Sequence, residues 1–93
     1  MRDLLPDEAW RLRFIEECSR RLADLYGYEE VITPVIEYYD LLAAKIGEEN
    51  RRRMYVFEDL GGRRIALRPE FTASIARLVA TKMTSSPRPM RLF

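Results

Sequence analysis

The residues best suited to chemistry lie at positions 67–72, which read L-R-P-E-F-T. Pro69 ends a predicted strand, so Glu70 and Thr72 follow at the strand end, beside the start of a predicted helix. Ligands often bind at this place in sheets that carry helices. A carboxylate there can pair with a ligand ammonium group, and a threonine hydroxyl can donate and accept hydrogen bonds. The commoner alternative is structural, with Glu70 complementing the helix dipole and Thr72 capping the first turn.

The composition excludes several kinds of catalytic site. The chain has no histidine and a single cysteine, Cys18, so its own residues cannot supply a His/Cys zinc site, a disulfide, or Ser/His/Asp or Cys/His catalysis. We therefore expect neither a metal site nor a catalytic residue within the chain. A lone thiol in a charged sequence is typical of a reducing, cytoplasmic location. Because Cys18 lies on the apolar side of a predicted helix, we expect it to be a small buried hydrophobic residue.

The charge balance indicates one small globular domain. The 93 residues include 16 basic and 15 acidic side chains, carry a net charge of +1 and are 47% hydrophobic. Disorder requires low hydrophobicity together with high net charge, so it is excluded. The arginine run at 51–53 could contact phosphates, but Glu48 and Glu49 precede it, which favours a solvated, mobile loop. No apolar run approaches the ~20 residues that span a bilayer, so we expect no membrane association.

The segment 67–72 is positioned by a predicted hairpin and a predicted helix. Residues 54–59 and 63–68 alternate in hydropathy on either side of Gly61 and Gly62, which indicates two strands joined by a tight turn that uses the positive φ of glycine. The periodicity that follows predicts a helix beginning at Glu70 or Thr72, with its apolar stripe formed by Phe71, Ile75, Leu78, Val79 and Met83.

The remaining elements complete an α+β fold, an antiparallel hairpin with flanking helices. The pattern predicts a helix over 6–26 that stops at Gly27, and then a strand over 28–39 that is bent or broken at Pro34. A short helix is expected over 38–47. The last residues, 90–93, look like the start of another strand, which suggests that the chain is the first part of a longer protein.

The order of these motifs resembles histidyl-tRNA synthetase, a class II aminoacyl-tRNA synthetase, and the spacing at 47–54 resembles its archaeal-type members. Residues 1–6, M-R-D-L-L-P, resemble the N-terminal sequence of the family, and residues 27–37 resemble class II motif 1. The hairpin with L-R-P-E-F-T resembles the family's histidine-binding turn. Residues 89–93 resemble the lead-in to motif 2.

The resemblance implies roles for particular residues. Glu70 and Thr72 would hold the α-amino group of histidine, together with Phe71, which stands where glycine or leucine is commoner. Motif 1 implies a homodimer, and the apolar run is more than a lone edge strand should leave bare. The implied dimer-interface residues are Val31, Ile32, Pro34, Val35 and Ile36. The alternative is that Val31, Ile32, Val35 and Ile36 fill the chain's own core.

The resemblance also implies a cytoplasmic ligase that activates histidine with ATP and magnesium and transfers it to its tRNA. Residues 1–93 would form part of the class II catalytic core, ending at the start of motif 2. The ATP-clamping arginines and most tRNA contacts would lie beyond Phe93, so the chain alone is not expected to aminoacylate tRNA or to bind ATP and magnesium.

Two alternatives remain open at the level of the sequence. The regulatory subunit of ATP phosphoribosyltransferase, a paralogue of the synthetase, keeps this fold and a similar turn. The motif V-F-E-D at 56–59 favours the synthetase, whereas residues 37–40 and 72–77 also suit the regulator. A free-standing dimerisation module would self-associate without affinity for histidine.

Overall fold

The computed structural model describes all 93 residues and confirms the α+β class. The elements are α1 (Pro6–Leu25), β1 (Ile36–Tyr38), α2 (Tyr39–Ala43), α3 (Glu48–Arg52), β2 (Val56–Glu58), β3 (Arg64–Leu67) and α4 (Thr72–Lys82). The chain divides into two compact units, one formed by residues 1–31 with 87–93 and the other by residues 32–86. Each unit is described by itself.

The first unit is built on α1, which confirms the predicted N-terminal helix. Pro6 occupies the first turn, where a missing N–H has no cost, and the Glu8 carboxylate accepts a hydrogen bond from the Leu5 N–H at 3.3 Å. The helix stops before Gly27, which takes a φ of +76°. Beyond it, Glu29 and Leu92 form a parallel bridge, so the last residues do adopt extended pairing as the sequence indicated.

The apolar side of α1 is uncovered within this unit. No residue of the helix is buried, and Trp10 and Phe14 stack with their ring centroids 5.6 Å apart on its surface. Cys18 is exposed, so the prediction of a buried thiol is wrong. The reason is that amphipathic periodicity shows which side of a helix is apolar, but it does not provide a partner that covers that side.

The second unit contains a three-stranded antiparallel sheet in the order β1-β3-β2. Its register pairs Ala66 of β3 with Glu37 on one side and Val56 on the other, so these three side chains share one face. Ala66 is fully buried on that face and forms the core with Leu42 and Met54. Helix α2 contacts β1, β3 and α4.

The opposite face of the sheet is apolar and only partly covered. Cross-strand pairing brings together the side chains of this face, which are Ile36, Tyr38, Phe57, Ile65 and Leu67. Four of the five are exposed, and Ile65 is half-buried. The second unit therefore has one packed face and one bare apolar face.

The strand predicted over 28–39 does stop at Pro34, but its first part is wrong: residues 28–34 form no strand apart from the bridge at Glu29, and β1 begins only at Ile36. The segment before it is fixed by Arg68, whose guanidinium donates hydrogen bonds to the carbonyl oxygen of Thr33 at 3.2 Å and to its hydroxyl. Thr33 is a buried residue. The residue that follows β3 thus holds the segment that leads into β1.

The predicted hairpin is confirmed, but its turn is stabilised differently from the expected pair of glycines with positive φ. Of the two glycines, only Gly62 takes a positive φ, of +76°. The Asp59 carboxylate holds the loop by accepting hydrogen bonds from the N–H groups of Gly61 and Arg63, each at 2.9 Å. A side chain therefore replaces the second left-handed residue.

The expectation of a mobile loop over residues 48–53 is wrong, because Glu48–Arg52 forms helix α3. Its first turn is acidic and its last turn is basic, which suits the helix dipole. Glu48 pairs with Arg51 at 3.5 Å, and Glu49 pairs with Arg53 at 2.6 Å. The charged residues that suggested a solvated loop instead form ion pairs three and four residues apart, which is the spacing of neighbours on a helix.

Helix α4 confirms the predicted start at Thr72, but its buried side differs from the expected stripe. Its one fully buried residue is Ser74, whereas Ile75, Leu78 and Val79 are half-buried and Phe71 is exposed. The Ser74 hydroxyl has no hydrogen-bond partner. A small side chain permits close packing here, at the cost of an unpaired polar group.

We expect Ser74→Ala to raise the free energy of unfolding by about 1 kcal/mol, because it removes an unpaired buried hydroxyl. Urea unfolding followed by circular dichroism measures the change. Ser19→Ala on exposed α1 is the matched control, and it should gain only about a few tenths of a kcal/mol from helix propensity. Equal gains at the two positions would contradict the burial argument.

Candidate functional site

The candidate site lies where the chain leaves β3 and enters α4. Strand β3 ends at Leu67 and α4 begins at Thr72, so Glu70 precedes the helix by two residues. Its Oε2 accepts a hydrogen bond from the Thr72 N–H at 2.7 Å, and its Oε1 accepts one from the Ala73 N–H at 3.4 Å. Glu70 thus binds free N–H groups at the N-terminus of α4, as the structural alternative anticipated.

The same contacts set the charge of Glu70. Hydrogen bonding from Thr72, through its side chain and its backbone N–H, lowers the pKa of Glu70, and the Ala73 N–H acts in the same direction. Glu70 is exposed. It is therefore an ionised, solvent-accessible carboxylate that two backbone donors hold in one orientation.

Glu70 and Thr72 line a cavity of about 670 Å³ between α2, the segment that leads to α3, and α4. Leu41, Leu42 and Ile46 form an apolar wall, and the polar groups are those of Lys45, Asn50, Glu70, Thr72 and Arg77. An apolar cleft with a few convergent polar groups is typical of a small-molecule site.

Phe71 is not part of this lining. Its ring is exposed, and the Arg68 guanidinium lies over it at 4.8 Å from the ring centroid. The structure therefore brings two of the three expected histidine-binding residues, Glu70 and Thr72, to one cavity and places the Phe71 side chain against Arg68.

A buried ion pair beside the cavity was not identified from the sequence. The Nε and Nη2 of Arg77 donate hydrogen bonds to Oε1 of Glu37, at 3.1 and 2.8 Å. The Glu37 side chain is only 5% exposed and that of Arg77 is 29% exposed. The signal that could have found it is a carboxylate at an inward position of a β-branched, aromatic strand, because such a group requires a partner.

The expected interface residues are mostly accessible. Ile32, Val35 and Ile36 are 89%, 59% and 43% exposed, Pro34 is exposed, and Val31 is half-buried. Ile32, Val35 and Ile36 therefore do not fill the chain's own core, which was the alternative to an interface.

The chain contains no group of three or more His, Cys, Asp or Glu side chains that could hold a metal ion. None of its helices combines the length and the apolarity required to cross a membrane.

Comparison with known proteins agrees with the fold and with the motif order. The family model for histidyl-tRNA synthetase matches residues 1–93. The chain belongs to the histidyl-tRNA synthetase family. The resemblance inferred from the motifs is therefore confirmed over the whole chain.

Individual members of the family show the extent of the match. The histidine–tRNA ligase of Methanocaldococcus jannaschii is 44% identical over 92 residues, which are 99% of this chain and 22% of that protein. The apo histidyl-tRNA synthetase of S. aureus has a TM-score of 0.82 at 38% identity and covers 99% of this chain and 22% of its own. An ATP phosphoribosyltransferase regulatory subunit/histidyl-tRNA synthetase from Bacillus halodurans C has a TM-score of 0.86 at 33% identity, over 99% of this chain and 24% of its own.

The chain thus spans about a fifth of the length of the curated relatives that it matches, 22% in each of the first two. The similarity to solved members of the family also confirms the α+β fold.

The lowered pKa of Glu70 makes its contribution to stability depend on pH. A folded-state pKa below the ordinary value of 4.5 means that the contribution is complete above that pH and is lost as the pH falls through the lower folded value. We expect Glu70→Gln to cost about 0.3–1 kcal/mol at neutral pH, since it removes a negative charge from a helix N-terminus. Urea titrations of both proteins from neutral to acidic pH measure the difference, which should shrink below 4.5.

Glu58→Gln, an exposed substitution on β2, is the matched control for this titration. A cost at position 70 that stays constant down to acidic pH would contradict a charge-based role.

Proposed function

We propose that this chain is part of a histidine–tRNA ligase, in which Glu70 and Thr72 bind the α-amino group of histidine. Its residues 1–93 would form part of a class II catalytic core, ending at the start of motif 2. The observation that carries the proposal is the ionised, oriented carboxylate of Glu70 at the rim of an apolar cavity. Membership of the histidyl-tRNA synthetase family supports the choice of substrate.

The geometry of Glu70 leaves room for an ammonium group. Its Oε2 is engaged by the Thr72 N–H at 2.7 Å, whereas the contact of Oε1 with the Ala73 N–H is long, at 3.4 Å. Each carboxylate oxygen has two lone pairs, so Oε1 can accept a hydrogen bond from a ligand ammonium without losing the helix contact. Thr72 lines the same cavity and would contribute its hydroxyl. Phe71 does not line the cavity and would act from beside it, with its ring against Arg68.

The residues present do not fit a magnesium–ATP site. Glu70 is the one carboxylate among the cavity-lining residues, and backbone N–H groups already occupy it. Magnesium in ATP-dependent enzymes is held by carboxylates together with the phosphates of the nucleotide. ATP and magnesium would therefore bind to parts of the intact ligase outside residues 1–93.

Transfer RNA would likewise be bound mainly outside this chain. The arginines at 51–53 are already paired with Glu48 and Glu49, which reduces their availability for phosphates. We place the intact protein in the cytoplasm, because Cys18, the one thiol of residues 1–93, is unpaired and exposed, which suits a reducing compartment.

The intact protein would be a homodimer with Val31, Ile32, Pro34, Val35 and Ile36 in the interface. The exposure of Ile32, at 89%, and of Val35, at 59%, supports this proposal, because large apolar side chains are seldom left in water together.

A second candidate is the regulatory subunit of ATP phosphoribosyltransferase, which the TM-score of 0.86 with the Bacillus halodurans protein favours. Such a protein would use the same cavity to bind histidine without activating it. Histidine-dependent ATP–pyrophosphate exchange separates the two, since only a ligase catalyses it. A stand-alone dimerisation module would bind no histidine.

We expect Glu70→Gln in the intact protein to lower histidine-dependent ATP–pyrophosphate exchange by about one to two orders of magnitude. The reason is that a hydrogen bond to a charged group contributes roughly 1.5–3 kcal/mol, and glutamine keeps the size of the side chain but not the charge that faces the ammonium group. The kcat/KM for histidine is the quantity measured, and Glu58→Gln is the control. Near wild-type exchange accompanied only by a lower melting temperature would overturn the ligand role and leave the helix-capping role.

We expect the 93-residue chain to self-associate at micromolar concentration, and Ile32→Asp to weaken that association by placing a charge in the apolar contact. Sedimentation equilibrium measures the apparent mass. Leu60→Asp at the hairpin turn, where Leu60 is fully exposed, is the matched control and should leave the mass unchanged. A wild-type chain that sediments only as an 11.0 kDa species contradicts the proposed interface.

A further inference from the structure

The ion pair between Glu37 and Arg77 fixes α4 against the sheet. Glu37 is the central residue of β1, and its side chain points to the packed face together with Ala66. Arg77 is the central residue of α4 and directs two N–H groups to one oxygen of Glu37. No other side-chain hydrogen bond joins α4 to the sheet.

The rest of the packed side of α4 lacks directional contacts. Ala73 packs against the hydrophobic core, and Ser74 is fully buried without a hydrogen-bond partner. Small side chains allow a helix to approach a sheet closely, but dispersion contacts are non-directional. The position of α4 along and around its axis therefore depends on Arg77.

The carboxylate of Glu70 moves with this helix. Its oxygens are hydrogen-bonded to N–H groups of Thr72 and Ala73, which belong to the first turn of α4. Arg77 follows Thr72 by five residues, about 7.5 Å along the helix axis at 1.5 Å per residue. A shift of α4 on the sheet would thus change the distance of Glu70 and Thr72 from the opposite cavity wall, which is formed by Leu41 and Leu42.

We propose that Arg77 is a positioning residue, which through its ion pair with Glu37 sets the distance of Glu70 and Thr72 from the apolar wall and so tunes the affinity for the amino-acid substrate. The inference rests on the proposed binding of histidine at Glu70. It adds Glu37, which does not line the cavity, to the groups that determine histidine recognition. Misplacing a binding group by about 1 Å can lower the efficiency of an enzyme by about 100-fold, so a modest helix shift is sufficient.

The test distinguishes an effect on the position of α4 from an effect on protein stability, because it replaces both residues of the Glu37–Arg77 ion pair. Removal of one partner leaves a buried charge unpaired, whereas exchange of both for apolar residues of similar size is often neutral for stability. In the intact protein, the double variant Glu37→Leu/Arg77→Met should keep its melting temperature within a few degrees. Its KM for histidine should rise about tenfold or more, while its KM for ATP stays unchanged. The double variant Glu49→Leu/Arg53→Met removes a matched exposed pair between α3 and the residue that follows it, and should change neither constant.

Glu37→Gln distinguishes positioning from direct contact, because Arg77 itself lines the cavity. If Arg77 acts through Glu37, this variant raises the KM for histidine although every cavity group is retained. A normal KM in Glu37→Gln, with a raised KM only when Arg77 is replaced, would mean that Arg77 touches the substrate and would overturn the positioning role.

Calorimetric titration of the wild-type protein with histidine tells the two proposals apart. Wild-type binding together with an unchanged histidine KM in the folded Glu37→Leu/Arg77→Met variant overturns the positioning role alone. Failure of the wild-type protein to bind histidine overturns the proposed function and this inference with it.

Discussion

A carboxylate buried in the middle of a strand governs the arrangement of residues 32–86. Glu37 is 6% exposed and needs a hydrogen-bonding partner there, which Arg77 supplies, so β1 and α4 must meet at one point. The pair also fixes the register, because a slip of β1 by one residue would turn Glu37 to the opposite, apolar face of the sheet. Strand pairing, helix position and the geometry of the cavity are thus coupled through a single contact.

The two roles considered for Glu70 are compatible in the folded chain. Its hydrogen bonds with the N-terminus of α4 hold the carboxylate ionised and oriented before any ligand arrives. A binding group that is already fixed loses little conformational entropy when it engages a ligand. The hydrogen bonds that cap α4 therefore also orient Glu70 for the proposed ligand contact. The sequence could not reveal this, because both roles require the same residue.

Local patterns predicted the parts of the fold that local physics controls. The long helix, the hairpin and the start of α4 follow from periodicity, glycine and proline, and the motif order was sufficient to identify the family. Helix α3 was missed because its charge run looked like a solvated loop, although the same charges pair at helical spacing. The exposure of Cys18 and the contact of Glu37 with Arg77 depend on residues that are distant in sequence, which a single sequence does not pair.

The bare apolar face of the sheet has a thermodynamic consequence for the chain in isolation. Only Leu42, Ala43, Met54 and Ala66 are hydrophobic residues that are buried, so unfolding would expose little apolar surface that water does not already reach. The heat-capacity increment of unfolding arises mainly from such newly exposed surface. The stability curve of this chain is therefore flatter with temperature than that of an ordinary domain of its length, and its denaturant dependence is correspondingly shallow.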